Sequence, residues 1–273
     1  MPASALALAL GAAVLHAFWN LLLARARDIE ATTAIALVTG VVVFAPIAAL
    51  AWRAQPAVWP YLIVTSLLQL TYFVLLAAAY GRADLSFVYP IARGSAPVLV
   101  LLVGVVVLGA GASASQVVGV LLVAAGVLLV RGVGGRANAA DLGLALAISG
   151  CIAAYTLLDK YGIRYASPVV YQELSMIPVA LIFLAVTLSR RGRIAVRGTV
   201  GLPAIAAGLA TFGAYILVLA ALARAPAAPV AAVRETSIVI ATVFAAPLLH
   251  ERVGAARLAG AVVVVVGVVL LGV

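Results

Sequence analysis

The stretch AAYGRADLSFVYPIARGSAPVLV at residues 78–100 decides the fold, because the chain carries a second version of it, AALARAPAAPVAAVRETSIVI, at residues 220–240. Arg93 in the first version and Arg234 in the second lie 141 positions apart (234−93). The same spacing (260−119 and 267−126) separates two pairs of glycines, Gly119 from Gly260 and Gly126 from Gly267. A spacing that holds over three landmarks indicates two copies of one unit.

The composition is that of a membrane protein. Of the 273 residues, 67% are hydrophobic and 9% are charged, which is too little polar surface for a soluble chain of this length. The apolar residues fall into blocks, and a helix needs about 20 residues to cross a bilayer. We place these blocks at residues 2–23, 31–52, 59–80, 86–108, 116–131, 142–160, 168–189, 201–223, 229–249 and 254–272.

These blocks predict an all-α integral membrane protein with about ten transmembrane helices. The runs are apolar throughout, whereas the strands of an outer-membrane barrel alternate apolar and polar residues. Residues 1–135 form the first five-helix repeat and residues 136–273 the second, and together they make one transmembrane domain. An odd number of helices inserts the second copy upside down, which is the inverted-repeat plan of secondary transporters. The alternative is that duplication merely enlarged a helix bundle.

Glycine spacing predicts close packing of the last helix in each copy. Gly119 and Gly126 are two turns apart on one helix face, as are Gly260 and Gly267. Small residues of this kind let helix backbones approach each other in lipid. This feature predicts structure and not transport.

Four charged residues fall within apolar blocks, namely Arg93, Glu173, Arg234 and Glu235, while the other acids, Asp159 among them, lie at block ends or in loops. Two positive and two negative charges could neutralise one another by pairing. A guanidinium is a fixed fork suited to carboxylate or phosphate, so Arg93 or Arg234 could receive an anionic group. The alternative is an internal salt bridge, for example from Arg93 to Glu235, and both could hold in different states.

Membrane carboxyl groups are candidates for carrying a coupling proton. Glu173 and Glu235 are the two that the apolar blocks contain. For Glu173 the alternative is an interfacial position, where it would pair with Lys160 or Arg164.

Several further polar and aromatic residues are candidates for lining a substrate cavity. His16 and Asn20 are four positions apart and therefore share a helix face with Trp19 beside them. The alternatives are that Trp19 belongs to the interfacial aromatic belt and that His16 is a packing residue. The remaining candidates are Tyr72, Tyr89, Tyr155 and Tyr215, of which Tyr89 lies one turn from Arg93 and Tyr155 matches the place of Trp19 in the second copy.

Motifs of enzymes and metal sites are missing from the sequence. We find no HExxH zinc motif, no glycine-rich phosphate loop and no GxSxG nucleophile signature. We therefore expect no enzyme, no catalytic residue, no metal and no cofactor. The net charge of +9 comes from arginines scattered among membrane helices, so we expect no nucleic acid as a partner. The expected partners are the lipid bilayer and a small-molecule metabolite, and the expected state is a monomer or homodimer.

The chain resembles the EamA-type transporters of the drug/metabolite transporter superfamily along nearly its whole length. The resemblance is carried by LHAFWNLLLARARD at 15–28, YPIARGSAP at 89–97, VRETS at 233–237 and LLHERV at 248–253. It implies ten helices in two inverted repeats and movement of small metabolites by alternating access. It fixes neither the substrate nor a binding residue.

The expected function is that of a secondary transporter, acting as an exporter of a small polar or amphipathic metabolite and coupled to protons. The alternative is multidrug efflux of hydrophobic cations, and a third possibility is a membrane scaffold or a lipid-handling enzyme. We expect a multi-pass location in a bacterial-type inner (plasma) membrane. Orientation stays open, since the family places both termini in the cytoplasm, whereas most arginines follow odd-numbered helices and favour termini outside.

Overall fold

A helix occupies each of the ten predicted blocks in the described part of the chain. The structure is a computed structural model that describes residues 1–82, 85–131, 139–241 and 254–272, without the side chains of 80–82, 85–87, 89 and 131. The helices are α1 (Ala3–Ala24), α2 (Ile29–Leu50), α3 (Trp59–Arg82), α4 (Leu85–Val106), α5 (Ala114–Arg131), α6 (Ala139–Gly162), α7 (Pro168–Gly198), α8 (Leu202–Leu222), α9 (Ala227–Arg234) and α10 (Ala255–Gly272). A short 3₁₀ turn, Pro56–Val58, leads into α3.

Most of these helices are long and apolar enough to cross a membrane. Among the described residues seven qualify by length and hydropathy, and two shorter apolar helices accompany them, Pro90–Val106 within α4 and Ala114–Val130 within α5. The chain is therefore an all-helical, multi-pass membrane protein, as the composition predicted.

Two helices differ from the predicted blocks. Helix α7 extends as far as Gly198, but Gly192 breaks it with φ 80° and ψ 158°, a conformation that glycine adopts without a Cβ penalty. The ninth block is interrupted at Glu235, whose amide donates to the carbonyl of Ala232, three residues back, at 3.0 Å. Helix resumes over 236–241, and the remainder of that block, together with the LLHERV turn, lies outside the described residues.

The helices pack as pairs drawn from the two halves of the chain. Among the contacting pairs are α1 with α8, α3 with α6, α2 with α7, α4 with α9 and α5 with α10. The last pair confirms the glycine prediction. A Cβ built on Gly126 would lie 2.8 Å from the carbonyl oxygen of Gly260, and one on Gly267 would lie 2.8 Å from that of Gly119.

One end of the bundle is closed by the α2–α3 and α6–α7 connections. Ala54 and Ala166 form an isolated antiparallel β-bridge, and the amide of Gln55 donates to the carbonyl of Tyr165 at 2.8 Å. The rings of Tyr61 and Tyr165 stack with centroids 5.8 Å apart. We call this the closed end, and the opposite end, where the α1–α2 and α7–α8 connections lie, the open end.

Candidate functional site

A cavity of about 770 Å³ runs into the bundle from the open end. Residues of α1, α2, α3 and α7 line it, and its volume is in the range of small-molecule sites. Five charged residues mark the mouth, namely Arg27, Asp28, Glu30, Arg190 and Arg191. Arg190 and Arg191 reach Glu30 at 3.3 and 3.1 Å but are 63% and 48% exposed, so these pairs add little to stability.

The cavity continues inward as a narrow pocket of about 60 Å³. Residues that line both spaces include His16, Trp19 and Tyr72, which therefore stand where the wide part meets the narrow one. Charged and phenolic side chains from the second half also line the narrow pocket, among them Arg234, Tyr155 and Tyr215.

Two arginines that line this inner pocket meet one buried carboxylate behind them, and we call Arg93, Arg234 and Glu235 the charge cluster. Arg93 Nε lies 2.9 Å from Glu235 Oε2, and Arg234 Nη2 lies 3.5 Å from Glu235 Oε1. The three side chains are 4%, 3% and 0% exposed. The internal salt bridge from Arg93 to Glu235, one of the two alternatives given by the sequence, is thus present, and the cluster carries one net positive charge.

Of the four interior charges, only three pair with one another among the described residues, so the pairing suggested for all four is wrong for Glu173. Among the described residues Glu173 forms no ion pair, and its two carboxylate oxygens have no hydrogen-bond partner. Its expected partner Lys160 donates instead to the carbonyls of Leu222 and Ala225, at 2.6 and 2.9 Å, and Arg164 lies over the ring of Tyr161. The reason is packing, since α7 contacts mainly α2, α3 and α8 and so keeps Glu173 away from the charge cluster on α4 and α9.

His16 lies between the charge cluster and Trp19, and both neighbours present a hydrogen-bond donor to its ring. Trp19 Nε1 donates to His16 Nδ1 at 3.0 Å, and His16 Nε2 lies 2.9 Å from Arg93 Nη2. A neutral imidazole has one acceptor nitrogen, while indole and guanidinium nitrogens only donate. Trp19 and Arg93 therefore cannot both donate to a neutral His16 at the same time.

The other predicted cavity residues fall around the same space. Trp19 is 7% exposed and lines the cavity, and Asn20 lines its wide part. The rings of Tyr72, Tyr155 and Tyr215 form a continuous wall, with centroid distances of 6.3 Å from the first to the second and 6.0 Å from the second to the third. The side chain of Tyr89 lies outside the described residues.

Comparison with models of protein families shows the family to which the chain belongs. The model of the EamA-like transporter family matches residues 3–132 and 141–273, which is nearly the whole sequence. The chain belongs to the EamA-like transporter family. It is accordingly a membrane transporter of the drug/metabolite transporter superfamily. A search of curated proteins found no match.

A solved structure supports the same fold for this EamA-like transporter. That structure, described as "Crystal structure of protein", has a TM-score of 0.78 against this chain at 16% identity. The alignment covers 99% of this chain and 96% of that one. At this identity the likeness shows the fold alone.

One buried acid of the EamA-like transporter was missed in the sequence. Asp159 was expected at a block end or in a loop, yet it is fully buried. It accepts hydrogen bonds from Thr65 Oγ1 at 2.6 Å, from Tyr171 OH at 2.8 Å and from Tyr215 OH. A signal was available, because Asp159 lies four residues after Tyr155 and therefore on the same helix face as a predicted cavity residue.

Proposed function

We propose that this protein is a secondary transporter that moves a small polar or amphipathic metabolite by alternating access. The observation that carries the proposal is the buried charge cluster at the inner end of a cavity that reaches the surface at the open end. Intramembrane charges are expensive and mark substrate or ion pathways. A site reached from one end, with contacts sealing the other, is what one state of an alternating-access cycle requires.

The helix pairing supports two inverted repeats at residues 1–135 and 136–273. The counterparts are α1 and α6, α2 and α7, α3 and α8, α4 and α9, and α5 and α10. Exchanging each helix with its counterpart converts the α1–α8 pair into the α6–α3 pair, and α2–α8 into α7–α3. All four of these pairs are present. The pairs α2–α7, α4–α9 and α5–α10 convert into themselves. The same exchange relates the connections of the closed end to those of the open end, so a swap of the two arrangements would open the cavity on the other side.

The site favours an anionic or zwitterionic substrate. The charge cluster has one net positive charge, and Arg234 Nε and Nη2 donate no hydrogen bond to any described residue. The candidate contact residues are the charge cluster, His16, Trp19, Asn20 and Tyr89, with the wall formed by Tyr72, Tyr155 and Tyr215. Multidrug efflux of hydrophobic cations is the second candidate function, which the aromatic wall favours and the net positive charge opposes.

Coupling to protons is part of the proposal, and the carboxyl group that carries the proton is open among three. Glu235 already contacts two arginines, and Glu173 has no partner among the described residues. Asp159, the third, sits in a network of hydroxyl groups.

We expect removal of the Arg93 guanidinium to abolish substrate binding while the protein still folds, since Arg234 remains beside Glu235. A panel of carboxylates, amines and neutral metabolites would be screened by thermal shift on detergent-purified protein. A ligand at 100 times its Kd stabilises by about 2.7 kcal/mol. Wild type should respond to carboxylates, and Arg93→Ala should lose that response with its own melting curve intact.

The matched control for this screen is Arg164→Ala, which removes an exposed arginine of the closed end and should keep the response. Carboxylates that stabilise Arg93→Ala as well as wild type would sink the binding role of Arg93. Hydrophobic cations as the only ligands, together with drug resistance in a host that lacks its own pumps, would favour multidrug efflux instead.

Location and orientation complete the proposal. We place the protein in a bacterial-type inner membrane as a monomer or homodimer that exports its substrate. The open end carries Arg25, Arg27, Arg190 and Arg191, and the positive-inside rule would make it cytoplasmic, with the termini outside. We therefore expect a phosphatase reporter fused after Val273, which is active only outside the cytoplasm, to be active. Activity of a fluorescent reporter that folds only inside would reverse this orientation.

A further inference from the structure

The hydroxyl network around Asp159 joins four helices from both halves of the chain. We call Asp159 with Thr65, Tyr171 and Tyr215 the Asp159 hub. The carboxylate comes from α6, and its donors come from α3, α7 and α8. Thr65 belongs to the first half and the other three residues to the second, so the Thr65–Asp159 bond crosses between the two halves.

The hub lies between the substrate cavity and the closed end. On the cavity side Tyr215 also lines the narrow pocket, beside Tyr155 one turn back along α6. On the other side, Tyr171 packs against Gly162, where a Cβ would come within 2.7 Å of its ring. Gly162 lies near the β-bridged connections, and its carbonyl accepts from the amide of Tyr165 at 3.0 Å. A change in the hydrogen bonds of Asp159 can therefore move side chains at both the cavity and the closed end, through Tyr215 and Tyr171.

Protonation of Asp159 disturbs the hub, because three hydrogen-bond donors already converge on its carboxylate. An ionised carboxylate is purely an acceptor, and three hydroxyl groups donate to it. A protonated Asp159 has a proton of its own to donate, while all three hydroxyl groups point their protons at it. Its O–H therefore stays unsatisfied inside the buried hub unless one hydroxyl turns to accept it. Hydrogen bonds to a charged group are also the stronger ones, so the bonds that remain are weakened.

Charged and titratable groups face Asp159 from several of the helices packed on α6. Arg234 approaches Asp159 from α9, and Tyr171 and Tyr215 approach it from α7 and α8. Arg93 and Glu235 act on the neighbouring Tyr155. On α6 itself, Tyr155 lies one turn from Asp159, and Lys160 is directed to the carbonyls of Leu222 and Ala225. From α3 the contact is the hydroxyl of Thr65, which does not titrate.

We propose that Asp159 is the coupling-proton site of the transporter and that its protonation releases the closed end. The proposal rests on the alternating-access function given above. The proposed release applies to the closed end and not to the open end, because the first repeat has no equivalent acid. In the alignment of WNLLLAR at 19–25 with YTLLDKY at 155–161, Asp159 corresponds to Leu23, which cannot take up a proton.

Distance measurements across the closed end test the proposal without any substrate. Gln55 and Arg164 are exposed on the two bridged connections, and Cys151 is the only native cysteine. Spin labels on Gln55→Cys and Arg164→Cys, in a Cys151→Ala background in lipid nanodiscs, report the separation. We expect one short distance at high pH and a longer population that grows as the pH falls. Asp159→Asn should show the longer population at every pH and lose the pH response.

Two more variants are measured, one that weakens the hub without removing its carboxylate and one control outside the hub. Tyr171→Phe leaves the carboxylate and removes one donor, so the midpoint of the pH response should move up by about one unit. Glu30→Gln neutralises a carboxylate at the open end, away from the hub, and should behave as wild type. A single distance at all pH values in wild type, an unchanged response in Asp159→Asn, or a response to Na⁺ at fixed pH would each overturn the proposal. Transport without a pH-dependent opening would reject this inference alone, whereas opening without transport would reject the function.

Discussion

Replacing Glu235 with Gln is expected to destabilise the protein more than any other single charge change. The substitution leaves Arg93 and Arg234 buried at 4% and 3% exposure without the carboxylate that both of them contact. Breaking a buried ion pair by removing one partner costs about 3–5 kcal/mol, because the remaining charge is uncompensated. Here two positive charges remain and also repel each other. Unfolding monitored by tryptophan fluorescence in mixed micelles of increasing denaturing detergent measures the loss.

The origin of this loss can be tested by a second substitution. Arg93→Gln with Glu235→Gln restores the net charge of +1 that the wild-type cluster has and removes the repulsion between two arginines, so the double variant should recover part of the stability. Glu30→Gln serves as the control, because its partners Arg190 and Arg191 are exposed and such pairs contribute about 1 kcal/mol or less. A Glu235→Gln variant as stable as wild type would mean that water or lipid, and not the carboxylate, neutralises the arginines.

Enlarging Gly126 is the second change with a large expected effect. Helices α5 and α10 approach through their glycines, and a Cβ on Gly126 would lie 2.8 Å from both the Gly260 oxygen and the Val264 amide nitrogen. Backbone atoms of a paired helix cannot turn aside as a side chain can, so the helices must separate. Overpacking costs about 1–3 kcal/mol, which we expect for Gly126→Ala, and Gly126→Leu should exceed that range.

The control for Gly126 is a glycine with free space around it. Gly143 in α6 has no atom within 4 Å of its would-be Cβ, so Gly143→Ala should be neutral or slightly stabilising through helix propensity. The same detergent titration reads both variants, with gel filtration to detect loss of the folded form. Equal stability of Gly126→Ala and wild type would show that α5 and α10 do not pack this closely in the membrane.

The site was only partly predictable from the sequence. Arg93, Arg234 and Glu235 were found because a charge inside an apolar block is visible without knowing any partner. Asp159 was missed because its block ends one residue later, at 160, and a charge near the end of an apolar run is normally solvated. Glu173 was wrongly included in a neutral set of four because counting charges ignores which helices touch.

The sequence by itself determined the membrane class, the helical content, the approximate positions of the ten helices and the close packing of the two glycine-bearing helices. Each of these follows from composition along the chain, from helix periodicity or from a spacing that repeats. The tertiary structure decided that Glu235 pairs with both arginines, that Glu173 stands apart, and that three hydroxyl groups meet on Asp159. These partners come from helices far apart in the chain. A sequence gives the depth of a charge along its helix, but only packing decides which side chain lies opposite it.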